Sequence, residues 1–465
     1  MAQKPSIPKG TRDFSPVEMR RRQYILDTIR GVFERYGYLP IETPAMEKLE
    51  TLTGKYGEEG DRLIFKVLNS GDAWDKVAPE VKQALAAGEE VHPGKLGAEL
   101  CEKALRYDLT VPFARFVVQH QHELTFPFKR YQMQPVWRAD RPQKGRYREF
   151  LQCDADVIGS TSLLNEVELS LMLVDAFERF GLEVEIQMNS RKVLDGLSQL
   201  WNVGDRLVEF VTILDKFDKL GVAVVEEYRK AGFDAAVCNS VGSFLEELSS
   251  TEGNTDRVML LSDRFSSAGI SIGNEGLVDL TYTQKAVRDA LGRDWNCSIN
   301  LALARGLDYY TGAIFEVKAA EGTLQSSICG GGRYDDLTGI FGLQGMSGVG
   351  ISFGADRIYD VLLETGKFPE DVATGTRLLF VNFGDREAAH VLPLLRQVRE
   401  AGIAAELYPD AAKLKKQFAY ADAKGIPYVA TMGSEEIAQG IVSVKDLRSG
   451  EQRAVKTDEL ISLVQ

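Results

Sequence analysis

Nine glycines crowd the 25 residues from Gly330 to Gly354, at positions 330, 331, 332, 339, 342, 345, 348, 350 and 354. That density is far above the usual share of about 7%. Without Cβ atoms, such a segment lets backbone come close to a flat ligand where any side chain would stand in the way. Strand signals precede it at Ile299–Ala304 and Ala313–Val317. A helix follows it, opened by Gly354-Ala355-Asp356-Arg357.

The chain has 465 residues, which at about 150 residues per domain suggests roughly three domains. Its 55 basic and 68 acidic residues give a net charge of −13, which argues against a non-specific nucleic-acid binder but leaves room for a local basic surface. No run of 18 apolar residues predicts a membrane span, and Met1–Gly10 has no apolar core of a secretory signal. Cys101, Cys153, Cys238, Cys297 and Cys329 are scattered with no CxxC pair, so neither a disulfide framework nor a structural zinc site is expected, and a reducing cytoplasm fits.

Ser15-Pro16-Val17-Glu18 reads as an N-cap, an N1 proline and a capping-box glutamate, opening a helix with Ile25, Ile29, Val32 or Phe33, and Tyr36 on one face. Leu63–Leu68 reads as a strand, and Phe128–Gly159 as two strands around a polar, basic loop, with a helix from Asn165 to Phe180 behind them. Residues 190–290 read as helical and charged, without a chemical motif. Beyond a linker at Glu364–Thr376, strands at Leu378–Val381, Ala404–Tyr408 and Tyr428–Thr431 alternate with helices at Arg386–Ala401 and Lys413–Lys424, the pattern of a small α/β domain.

There is no GxxxxGK[ST] loop, and Gly348-x-Gly350-x-x-x-Gly354 is one residue too long for a dinucleotide fingerprint. His120 and His122 are spaced wrongly for a helical zinc site. The informative window is Lys129–Arg148, which carries seven basic residues against Asp140 alone, a local +6. On charge alone this is a solvated basic hairpin; the sharper reading is a polyphosphate clamp, because guanidinium forks match phosphate oxygens. A second arginine sits in the polar string Arg305-Gly306-Leu307-Asp308-Tyr309-Tyr310-Thr311-Gly312, and a third is Arg357. Three separated arginines, a glycine-rich floor and no Walker loop suggest ATP held without a P-loop.

Together these segments resemble the class II aminoacyl-tRNA synthetases and, within them, the histidyl-tRNA synthetase family. Motif 1 resembles the first helix and the stretch ending at Pro44, motif 2 the arginine-rich window, and motif 3 Gly350–Arg357. The strings Arg305–Gly312 and Gly330-Gly331-Gly332-Arg333-Tyr334-Asp335 resemble signatures of the histidine family specifically. The resemblance implies an α+β catalytic domain on an antiparallel sheet (residues 1–190 and 297–364), a mostly helical insertion (191–296) against the tRNA acceptor stem, a linker (365–376) and an α/β anticodon-binding domain (377–465). It implies activation of L-histidine with ATP and Mg²⁺ and transfer to tRNA-His by a homodimer. A site that hydrogen-bonds both imidazole nitrogens can discriminate by roughly 10⁴–10⁵ without editing, so no editing activity is expected.

Position by position, the resemblance implies that Asp108 and Thr110 hold the histidine α-ammonium with Gln152 assisting. Asp156 and Tyr310 would meet the two imidazole nitrogens, with Tyr309 in the same string. Arg138 and Arg305 would act as the catalytic cations at the α-phosphate, and Arg357 would bind the γ-phosphate. Many family members carry Glu where this chain has Asp108 and Asp156. Lys413, Lys415, Lys416 and Lys424 would meet tRNA phosphates, and no protein side chain is expected to bind a metal. A catalytically inactive paralogue that regulates ATP phosphoribosyltransferase shares the fold; such paralogues tend to lose the anticodon domain and the Arg-Gly-Leu-Asp-Tyr-Tyr string, both present here.

Overall fold

The computed structural model describes residues 4–54, 57–304, 310–324, 326–373 and 375–464. The chain divides into two compact units, residues 1–13 with 25–367, and residues 14–24 with 368–465.

The larger unit is built on an eight-stranded sheet. Its strands are β1 (Leu39–Pro40), β2 (Phe128–Trp137), β3 (Glu149–Ile158), β4 (Val184–Ser190), β5 (Cys297–Ile299), β6 (Ala313–Ala319), β7 (Cys329–Tyr334) and β8 (Gly348–Gly354). In space they run β1-β2-β3-β8-β7-β6-β4-β5. The six central strands are all antiparallel to their neighbours, and only the edge pairs β1–β2 and β4–β5 are parallel.

Alternation along the strands divides this sheet into two faces. On β8, Val349, Ile351 and Phe353 are buried apolar residues, whereas Gly348, Gly350, Ser352 and Gly354 between them are small. Helices α1 (Pro16–Arg35) and α3 (Leu164–Arg179) cover the apolar face. Phe33 and Phe177 pack on Phe353 with ring centroids 5.8 and 5.6 Å away. On the same side, Arg333 of β7 makes a two-pronged bond to Glu166 of α3, Nε–Oε1 at 2.5 Å and Nη2–Oε2 at 2.6 Å. Both residues are buried, so removing either partner would strand a charge at a cost of about 3–5 kcal/mol. The arginine of the Gly-Gly-Gly-Arg-Tyr-Asp string is therefore a tie between sheet and helix.

The other face is lined by small and polar groups and is framed by α2 (Thr110–His120) and a three-stranded sheet of Met46–Lys48, Lys103–Leu105 and Lys66–Val67. Helices at Arg191–Leu200, Leu207–Leu214, Val224–Lys230, Ala235–Ser250, Asn254–Ala268 and Ser271–Leu291 separate β4 from β5.

Two expected strands come out shorter. Leu63 ends a helix, Gly57–Leu63, and its carbonyl accepts from Ala139 N (2.8 Å) in the basic hairpin, leaving only Lys66–Val67 extended. The apolar run Ile299–Ala304 is strand only through Ile299. Buried Asn189 donates from Nδ2 to the carbonyls of Leu301 (3.2 Å) and Leu303 (2.8 Å), taking up groups that a ladder partner would use.

The smaller unit opens with the expected capping box: Ser15 N donates to Glu18 Oε2 (2.6 Å) and Glu18 N to Ser15 Oγ (3.4 Å). Its sheet orders Ala405–Leu407, Leu378–Phe380, Tyr428–Thr431, Ile441–Asp446 and Gln452–Lys456, the first three parallel and the rest antiparallel. Leu378 and Phe380 pack on the helix Asp385–Glu400 through Val391, Leu395 and Val398, while Leu379 and Val381 pack on the other side with Ala421 of Leu414–Lys424. A parallel core covered on both faces explains why these strands read as continuous apolar runs. The hairpin at 441–456 adds two strands that the sequence does not announce.

Candidate active site

The polar face of the large sheet carries one row of residues in register: Arg130 on β2, Asp156 on β3, Gly350 on β8 and Gly332 on β7. Asp156 is the fixed point of this row. Arg130 Nη2 lies 2.8 Å from its Oδ2, and the Tyr334 hydroxyl donates to Oδ1 at 2.5 Å. Arg130 is fully buried, its guanidinium 4.3 Å from the Phe113 ring centroid. Burial pushes the Asp156 carboxyl up, against the pull of Arg130 and the Tyr334 hydroxyl.

The glycines make this arrangement possible. A Cβ on Gly350 would stand 2.0 Å from Asp156 Oδ1, one on Gly348 2.4 Å from the Tyr334 ring, and one on Gly332 3.0 Å from the ring of Tyr310. Aromatic and carboxylate groups lie flat on bare backbone here, which is what the glycine-rich stretch is for.

Asp108, Thr110, Arg138, Gln152, Asp156 and Tyr310 line a single cavity, together with Asp154, Tyr334 and Ser352. Asp108 is set at the start of α2, where its Oδ1 accepts from Val111 N at 3.2 Å. The turn before it is stapled by buried Arg106, which donates to the carbonyls of Thr43 (2.7 Å) and Pro135 (2.8 Å). Gln152 donates from Nε2 to Ser352 Oγ at 2.9 Å. Arg138 is held with Nε on Tyr107 O (3.0 Å) and its guanidinium carbon 4.3 Å from the Tyr107 ring centroid. Arg305 and Tyr309 lie outside the described residues.

Arg357 opens α4 (Ala355–Glu364) and is held by two carbonyls, Nε to Gly145 O (2.9 Å) and Nη1 to Ser327 O (2.7 Å), so it sits beside the basic hairpin. The segment Lys9–Asp13 clamps the same hairpin. Gly10 O accepts from Arg148 N (2.8 Å), and Arg12 pairs with Asp356 (2.5 Å) while lying 3.6 Å from the Tyr147 ring centroid. Asp356 in turn accepts from Leu151 N at 2.9 Å. The Lys9–Asp13 segment, the hairpin and α4 thus form one tied group.

Four residues of this site are given no role by the sequence. Arg130 is hidden there in a charge count, although it is buried and pairs internally rather than facing solvent. Tyr334 stands in the Gly-Gly-Gly-Arg-Tyr-Asp string with no role attached to it, and Ser352 has no charge to draw notice. Asp154 could have been found, because Gln152, Asp154 and Asp156 alternate on one face of β3.

The family model described as Histidyl-tRNA synthetase matches residues 10–74 and 102–358, and one described as Anticodon binding domain matches residues 381–465. The chain belongs to the histidyl-tRNA synthetase family. A Histidine--tRNA ligase of Phocaeicola vulgatus is 52% identical over 465 residues, covering 100% of both chains. One of Porphyromonas gingivalis is 53% identical over 98% of each. The crystal structure of histidyl-tRNA synthetase from Nostoc superposes with a TM-score of 0.82 at 32% identity, over 100% of this chain and 99% of that one. A Bacillus halodurans structure titled as an ATP phosphoribosyltransferase regulatory subunit/histidyl-tRNA synthetase has a TM-score of 0.69 at 21% identity, a likeness of fold alone. The helices Pro79–Ala86 and Pro93–Leu100 fall in the stretch that the family model leaves unmatched.

Proposed function

We propose that this chain is a histidine--tRNA ligase: it activates L-histidine with ATP to the adenylate and pyrophosphate, then transfers histidine to the 3′ end of tRNA-His. The observation that carries the reading is the buried Asp156, fixed by Arg130 and Tyr334 opposite Tyr310 in a cavity that also holds Asp108, Thr110 and Gln152. An imidazole N–H donates to the Asp156 carboxylate and the Tyr310 hydroxyl meets the other nitrogen. A wrong amino acid leaves these buried groups unpaired, which supports discrimination of roughly 10⁴–10⁵ without editing.

In the first step a carboxylate oxygen of histidine attacks the α-phosphorus in line; the bond to the β-phosphate oxygen breaks and pyrophosphate departs. A carboxylate is already ionised at neutral pH, so this step needs no general base. Both reactants are anionic, and positioned cations lower the barrier. Arg138 in the cavity lining serves the α-phosphate, with Arg305 assigned to its other side by the family pattern, and Arg357 serves the γ-phosphate. Mg²⁺ would enter with the nucleotide as part of the substrate and would supply further positive charge to the polyphosphate.

For tRNA, the C-terminal unit presents exposed Lys413, Lys415 and Lys416 at the start of the helix Leu414–Lys424. Lys424 is engaged by Glu406 at 2.5 Å, so it is the weakest of the four assignments. Replacing Lys413, Lys415 and Lys416 together by alanine is expected to weaken tRNA binding about tenfold or more. The salt dependence of binding should flatten by ~0.7–0.9 for each phosphate that the variant no longer neutralises. Pyrophosphate exchange without tRNA should stay at the parental rate. Unchanged tRNA affinity in a filter-binding titration would place the tRNA elsewhere.

We further propose a homodimer working in the cytoplasm; among the described residues no helix is long and apolar enough to cross a membrane. The direct test of the whole reading is charging of tRNA-His with labelled L-histidine and ATP. Acid-stable incorporation into tRNA-His and not into other tRNAs is expected. Absence of charging by folded protein would leave the regulatory paralogue as the better description.

A further inference from the structure

An α-ammonium group carries three N–H donors and needs three acceptors when it leaves water. The cavity offers two that have no hydrogen-bond partner among the described residues: Asp154 Oδ1 and Gln152 Oε1, both buried. Asp154 is 2% exposed, in the middle of β3 and on the same face as Gln152 and Asp156. Its other tie is the Ser352 hydroxyl, which itself accepts from Gln152 Nε2. Leaving a buried carboxylate oxygen unpaired is costly unless a ligand cation completes it.

We propose that Asp154 is a binding residue for the α-ammonium group of the substrate amino acid, acting with Gln152 Oε1 and the Asp108 carboxylate as the three acceptors. The proposal rests on the ligase reading above and adds a second carboxylate to the ammonium site. Arg130 is shared: its 2.8 Å contact is with Asp156, and it gives Asp154 Oδ1 no hydrogen bond.

Protonation follows from the same geometry. Burial pushes the Asp154 carboxyl up to about 7, with Arg130 on β2 opposing and Asp156 and Asp108 adding to the rise. Tyr334 on β7 shares its face and is pushed up by burial and by Asp156 and Asp154, while Cys329, on the opposite face of β7 beside Phe353, is pushed up by burial and by Asp154, so neither contributes charge near neutrality. In the empty site the proton is retained below about pH 7. An arriving ammonium favours the charged form, so histidine binding releases a proton. Because the folded value is raised, ligand-free stability from this group is full at low pH and is lost as pH rises through about 7.

The experiment compares L-histidine with 3-(imidazol-4-yl)propionate, which lacks the ammonium, on wild-type protein and on Asp154→Asn. By calorimetry near pH 7 in two buffers of different ionisation heat, wild-type protein should release more protons on binding histidine than on binding the propionate. The variant should bind histidine about 10–100-fold more weakly, with KM rising and kcat nearly unchanged, and bind the propionate as wild type does. Equal proton release for the two ligands on wild type, or an equal loss of both ligands in the variant, would overturn the assignment. Failure of wild-type protein to bind histidine at all would instead count against the ligase reading.

Discussion

Asp156→Asn is expected to lower kcat/KM for L-histidine in adenylate formation by about 10³-fold or more, with ATP binding little changed. Asparagine keeps the shape but removes the anion that pairs electrostatically with Arg130 and accepts from the Tyr334 hydroxyl and, in the proposed complex, from the imidazole. Losing a charged acceptor inside a buried network costs more than an ordinary hydrogen bond. It also strands Arg130, which is fully buried, so a stability loss of about 3–5 kcal/mol should accompany it. Tyr334→Phe separates the two effects, since it deletes one donor and leaves the ion pair standing. That variant should fold normally and lose far less activity. The check is histidine kinetics alongside denaturant unfolding of both variants; an Asp156→Asn enzyme within tenfold of wild type would remove Asp156 from the imidazole site.

Gly350→Ala should be nearly as damaging, although it adds only a methyl group. Its Cβ would stand 2.0 Å from Asp156 Oδ1, 2.5 Å from Cγ and 3.0 Å from Ala155 O. The carboxylate is held by two partners and cannot yield without breaking one of them, so the strand or the site must give way. A fall of about 10²–10³-fold in histidine-dependent activation is expected, with a loss of stability above the 1–3 kcal/mol usual for overpacking. Gly330→Ala is the control. Its nearest contact would be Phe315 O at 3.4 Å, an ordinary distance, and its stability should stay within about 1 kcal/mol of wild type. Equal melting and equal activity for Gly350→Ala would show that Asp156 has another resting place.

Much of this architecture is written locally. The N-cap at Ser15, the long strands either side of the basic hairpin and the alternating C-terminal elements follow from capping chemistry and periodicity, and they stand in the fold within a few residues of where the sequence places them. Where expectation and fold part, a distant side chain or backbone group is responsible. Asn189, more than a hundred residues upstream, takes the carbonyls that would have continued the strand at Leu301. Ala139 does the same to Leu63.

The site divides in a similar way. Asp108, Arg138, Gln152, Asp156 and Tyr310 stand in recognisable strings, so resemblance could name them. Arg130 and Tyr334 become significant only when strands far apart in the chain are laid in register across Asp156. The glycines were legible as a density, but which of them faces which atom belongs to the register alone. Residues 75–101 are unmatched by the family model, and the fold gives them two short helices, Pro79–Ala86 and Pro93–Leu100.

The most direct measurement is ATP–pyrophosphate exchange with each of the twenty amino acids in turn, without tRNA. Exchange that depends on L-histidine, and on no other amino acid above about 10⁻⁴ of its rate, is the predicted result. Exchange with none of them, from folded protein, would contradict an adenylating site at Asp156, and exchange with a different amino acid would contradict the imidazole assignment.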